Sequence, residues 1–144
     1  MKTRFSSLVT VKKNSMQKSE RVVQNANKNL QNSKDALEES IAQLQQIPTP
    51  EHGVISDFLA NRKLLELQRG VIEHNKEWVE YAQKELLEAK KELQEAMIEY
   101  EKFKYLDLQE VEKFLMQQKL KEAKDLDEVA LMTHSRKQKL QEVS

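Results

Sequence analysis

Ile47-Pro48-Thr49-Pro50-Glu51-His52-Gly53 decides the fold, because it holds both prolines and one of the two glycines in a chain of 144 residues. Pro48 and Pro50 lack backbone N–H donors and push the residues before them out of helical geometry, so no helix passes through this stretch. On either side breakers are nearly absent, and apolar residues return at the seven-residue period of a coiled coil. Working back, Val9, Met16, Val23, Leu30, Leu37 and Leu44 fall in one register, the a positions, beside a mostly small or polar d row of Phe5, Lys12, Ser19, Ala26, Ser33, Ser40 and Ile47. Working forward, Phe58, Leu65, Ile72, Val79, Leu86, Leu93 and Tyr100 form a second a row, with Asn61, Gln68, Asn75, Ala82, Ala89, Ala96 and Phe103 as its d row.

The two registers complement each other. An antiparallel return at the break places a residues of one helix opposite d residues of the other, so large side chains meet small ones and the seam fills without voids. A connection of minimal length favours facing residues whose numbers total 105, which sets Val23 against Ala82 and Ala26 against Val79. A shift by one heptad preserves the same large-to-small pairing. Charge points the same way: residues 1–34 hold eight basic side chains against Glu20 alone, while residues 77–101 hold eight glutamates against Lys84, Lys90 and Lys91. The antiparallel return lays the acidic stretch along the basic one, which fixes orientation more than stability.

The expectation is therefore an all-α chain, a single coiled-coil domain over 1–144. Two long helices, about 2–47 and 55–135, form an antiparallel hairpin with a turn at 48–54 and a frayed tail at 136–144. Composition agrees, since Ala, Glu, Lys, Leu and Arg make up 70 of the 144 residues, the usage of long helices. The second helix outruns the first. Helix-favouring sequence continues well past Phe103, an overhang of about 28 residues or roughly 40 Å, and its apolar positions Val111, Phe114, Leu115, Leu120, Ala123, Leu126, Val129 and Ala130 have no partner in the first helix. A lone helix is marginal in water, so this segment expects another protein.

Chemistry is excluded more firmly than binding. No cysteine is present, which rules out a thiol nucleophile and a disulfide framework and suits a reducing compartment. His52, His74 and His134 never stand at a helical metal-site spacing. There is no glycine-rich phosphate or dinucleotide loop, so neither a cofactor nor a metal is expected, and an enzyme is not. Met1-Lys2-Thr3-Arg4-Phe5 leads into no uninterrupted apolar run, and charges interrupt every stretch before membrane-spanning length, so neither a secretory signal nor direct membrane insertion is expected. The basic residues of 1–34 lie beside an acidic helix without interleaved aromatics, which argues against nucleic acid. One stripe stands out. Leu64, Leu67, Val71, Trp78 and Tyr81 recur at helical spacing beside the seam; they either widen it against the first helix or form an exposed docking face.

With Gln118-Lys119-Leu120-Lys121-Glu122-Ala123-Lys124-Asp125-Leu126-Asp127-Glu128-Val129-Ala130, a charged helix closing in a Leu-Asp-Glu-hydrophobic-Ala pattern, and with the apolar opening Phe5 to Leu8, the chain resembles the FliJ family of flagellar type III export proteins along essentially its whole length. The resemblance implies a cytoplasmic, stalk-like adaptor similar to the central γ subunit of rotary ATPases, peripherally associated with the inner membrane through the export apparatus. It would engage the hexameric flagellar export ATPase, the cytosolic domain of the export-gate membrane protein and export chaperones. On this reading Phe5, Leu8, Leu120, Ala123, Leu126, Asp127, Glu128 and Ala130 serve the ATPase end, and Leu64, Leu67, Val71, Trp78 and Tyr81 serve the gate and chaperones. Which residues from Ile47 to Arg69 correspond to the family's gate-contacting positions stays open. The competing expectation is a self-assembling scaffold whose overhang pairs with a second copy.

Overall fold

The structure, a computed structural model, describes residues 2–143. Helix α1 spans Ser6–Gln46 and helix α2 spans Ile55–Val143, and the described residues contain no strand. The start of α1 is capped by reciprocal bonds. The Phe5 N–H donates to Thr3 Oγ1 at 3.1 Å, and the Thr3 N–H donates to Ser6 Oγ at 2.8 Å, a serine variant of the capping box. Residues 4 and 5 form the turn leading in, so regular helix begins at Ser6 rather than near residue 2.

At the other end the Ile47 N–H closes the last turn on the Leu44 carbonyl at 3.3 Å, and Pro48 stops propagation. Gly53 carries φ of 146°, in the region side chains disfavour, and an added Cβ would lie 2.6 Å from Asp57 Oδ2. Asp57 stands in the first turn of α2, where a carboxylate complements the helix dipole. The helix then continues through Val143. Lys137, Lys139, Leu140 and Glu142 are good helix formers, and no glycine or proline interrupts them.

The sequence reading treats 1–144 as one domain. Within it the structure has two compact units, Lys13–Ile98 and Met1–Lys12 with Glu99–Ser144.

In the unit Lys13–Ile98, the buried residues are Ala26, Ser33, Ser40, Ile72, Ala82 and Ala89. All belong to the rows read from the sequence, and Met16, Val23, Leu30, Leu37, Leu44, Leu65, Val79, Leu86 and Leu93 are half-buried beside them. The polar d residues of α2 reach across. Asn75 Nδ2 donates to the Ala36 carbonyl at 3.2 Å, Gln68 Nε2 to the Ser40 carbonyl at 2.8 Å, and Asn61 Nδ2 to the Pro48 carbonyl. As the α2 number falls, the partner number rises, which is consistent with a helical hairpin. Small side chains permit this approach, because Ser33 and Ser40 turn their hydroxyls onto Leu30 and Leu37 carbonyls of their own helix.

These bonds correct the register. A total of 105 would set Ala36 opposite Arg69, whereas Ala36 receives Asn75; it would set Lys12 opposite Leu93, whereas Lys12 pairs with Glu99. Within Lys13–Ile98 the Asn75 bond lies near the register shifted by one heptad, in which Ala26 would face Leu86, Ser33 Val79 and Ser40 Ile72. The reason lies in the turn. Residues 47–54 are not helical, and extended backbone covers about twice the length of helix per residue, so the turn climbs along the first turns of α2. Phe58, expected in the seam, is 45% exposed.

In the unit Met1–Lys12 with Glu99–Ser144, Val9, Tyr100, Phe103, Leu106 and Val111 are half-buried, so the seam reaches beyond Phe103. Lys12, a charged residue on a d row, is accommodated by Glu99 at 3.5 Å and by the Phe103 ring, 5.6 Å from its Nζ. Thr3 Oγ1 donates to Asp107, Ser6 Oγ donates to the same carboxylate at 3.3 Å, and Arg4 pairs with Glu110 at 3.0 Å. Charge complementarity is narrower than the sequence suggests. Among the described residues Arg4–Glu110 and Lys12–Glu99 are the only ion pairs between α2 and the chain that precedes the turn, because long side chains flanking a seam gain little over solvation.

Candidate functional site

Two surfaces emerge, one in each unit. In the unit containing both termini, every residue from 112 to 142 is helical and exposed. Leu120 and Leu126 are 66% and 70% exposed, and Ala123, Asp127, Glu128 and Ala130 are exposed with them. About thirty residues, roughly 45 Å of helix, therefore show apolar side chains to solvent without cover from α1. Of the N-terminal pair assigned to the same end, Leu8 is exposed, whereas Phe5 is half-buried in an open groove with Leu106, Lys113 and Met116. Arg4 lies over the Phe5 ring at 4.8 Å. That groove ends at Met116; none of Leu120 to Ala130 lines it. The structure thus brings Phe5 to the middle of α2 rather than to the charged C-terminal segment.

In the unit Lys13–Ile98, Leu64, Leu67, Val71, Trp78 and Tyr81 are between 44% and 62% exposed. Steps of three, four, seven and three residues keep them on one helical face. Trp78 and Tyr81 flank a groove whose α1 wall is Val22, Asn25 and Asn29. They border α1 without being covered by it. Val22 was not singled out from the sequence; it lies one position before the a residue Val23, and its 44% exposure becomes meaningful only beside Trp78.

Catalytic geometry does not appear among the described residues. No group of three or more His, Cys, Asp or Glu side chains is placed to hold a metal ion, and no buried side-chain nitrogen or oxygen lacks a partner. No described helix is long and apolar enough to cross a membrane.

Among the described residues the chain is two helices joined by a turn, with apolar side chains exposed along both surfaces. The Flagellar FliJ protein family matches residues 1–139, and the chain belongs to that family. It is a flagellar export-related protein, and the family's non-catalytic character agrees with the lack of an enzymatic constellation in the sequence. Comparisons with curated proteins and with solved structures returned no match.

Proposed function

We propose that this chain is an antiparallel coiled coil with an overhanging C-terminal helix. It acts as a stalk-like adaptor that links the hexameric flagellar export ATPase to the cytosolic domain of the export gate and handles export chaperones. The observation that supports this reading most is the exposed helical segment 112–142, which displays Leu120, Leu126 and Val129 at more than half exposure. An amphipathic helix without an intramolecular partner is a helix-in-groove ligand, and Lys119, Lys121 and Lys124 beside Asp125, Asp127 and Glu128 supply charge for orientation.

Phe5 and Leu8, in the same unit as that segment, contribute to the ATPase end from beside the preceding part of α2, while Leu64, Leu67, Val71, Trp78 and Tyr81 meet the gate and the chaperones. The protein works in the cytoplasm, held peripherally at the inner membrane by these partners, and contributes to motility through flagellar assembly rather than through catalysis.

Retention of purified flagellar export ATPase on the immobilised full-length chain tests the reading. It predicts retention that is lost on deleting 118–144, with the free protein monomeric in sedimentation. Self-association through 112–142 without ATPase binding would favour the scaffold instead.

A further inference from the structure

The stripe of α2 does not end at Tyr81. The same three-and-four-residue steps that carry Leu67, Val71, His74, Trp78 and Tyr81 along one face continue to Glu85, Glu88 and Glu92. All three glutamates are exposed, and none has a hydrogen bond or ion pair among the described residues. One helical face is thus bipartite: an aromatic and aliphatic half of about 20 Å, then a carboxylate half. The α1 wall opposite Trp78, Tyr81 and Glu85 is Val22, Asn25 and Asn29, all uncharged. Lys18, on the same α1 face by helical spacing, forms no ion pair with the glutamates.

We propose that this face docks an amphipathic helical segment of a partner protein, with apolar side chains seated on Leu67 to Tyr81 and a Lys/Arg cluster at one end set against Glu85, Glu88 and Glu92. The inference deepens the gate-contact reading of the same stripe and rests on it. Charge complementarity identifies the occupant. A neutral helix would leave three carboxylates beside the interface without compensation, an acidic one would be repelled, and a basic block gains attraction and a defined orientation. The half-exposed aromatic ring of Trp78 adds a surface to which Lys or Arg is also drawn.

Trp78 is the only tryptophan in the chain, so its fluorescence reports this face directly. The full-length protein is titrated with two synthetic amphipathic helical peptides that share one leucine face and differ only in a terminal block of lysines or of glutamates. The lysine peptide is expected to shift Trp78 emission to the blue and to bind about tenfold or more tightly than the glutamate peptide, with the preference shrinking in high salt. The triple variant E85K/E88K/E92K should reverse the order, and L67A/Y81A should weaken both peptides. Equal binding of the two peptides, binding of neither, or a Trp78 shift on concentrating the protein alone would overturn the proposal, the last by making a second copy the occupant. A parallel titration with the cytosolic domain of the export gate separates the two claims. If that domain binds through the stripe but is indifferent to E85K/E88K/E92K, the basic-helix chemistry fails and the gate reading stands. If the lysine peptide binds as described and the gate domain does not, the gate reading fails and the chemistry stands.

Discussion

Single residues in this protein act mainly through size and through one unusual use of amides. Ala82 and Ala89 are 3% and 4% exposed, so enlarging either forces the helices apart. Ala89→Leu should cost about 1–3 kcal/mol, seen as a lower midpoint in thermal unfolding followed by circular dichroism. Leu86→Asp should destabilise far more than Glu88→Ala, because the first desolvates a carboxylate on the seam while the second trims an exposed side chain, usually worth about 0.5 kcal/mol or less. Equal melting temperatures would mean that the seam is misassigned. Asn75 is a different case. Its amide bonds the Ala36 carbonyl, so Asn75→Ala should lose about 0.5–1.5 kcal/mol, whereas Asn75→Leu should raise the melting temperature while loosening the register. The sequence shows a polar residue on a d row and suggests a register device, but not the means. That Asn75 and Gln68 reach main-chain carbonyls depends on Ser33 and Ser40 keeping the opposite surface low, a three-dimensional condition. The Thr3–Ser6 cap was hidden for a simpler reason: serine stands where the usual signature has Glu or Gln.

At the level of elements, the two rows were legible because each repeats at a period only a helix satisfies, and the break was legible because Pro48 and Pro50 leave no alternative. Register was not legible. Ala26, Ser33 and Ser40 stand seven residues apart, so sliding one helix by a heptad replaces each small residue with another and leaves the packing argument unchanged. Only the path of the turn decides, and Gly53 sits on that path with its positive φ. Gly53→Ala should destabilise by about 1 kcal/mol or more, and Asp57→Ala in the same chain should recover only the steric share, since the backbone strain persists. Cysteine pairs test the register itself in a chain that has none. S33C/V79C should oxidise readily and S33C/I72C slowly, because a disulfide tolerates Cα separations of only about 4.4–6.8 Å; the opposite order would restore the total of 105. Adding Asn75→Leu should raise the yield of the slower pair.

For the whole molecule, family membership and the exposed helix at 112–142 together direct attention to partners rather than to a reaction. Which residues are exposed was largely readable from helical faces; what covers them was not, since a surface that needs a partner and a surface that closes on itself share the same apolar spacing. Deleting 118–144 removes a segment whose described side chains, 118–142, are all exposed, so the helical signal should fall only in proportion to the residues removed and the midpoint of thermal unfolding should hardly move. Function should separate from folding at that point. The most direct measurement is the rate of ATP hydrolysis by the assembled flagellar export ATPase, alone, with the intact chain and with the chain lacking 118–144. The intact chain is expected to stimulate hydrolysis, and the folded truncation is not. Equal stimulation by both would contradict the assignment of the C-terminal helix as the element that couples this protein to the ATPase.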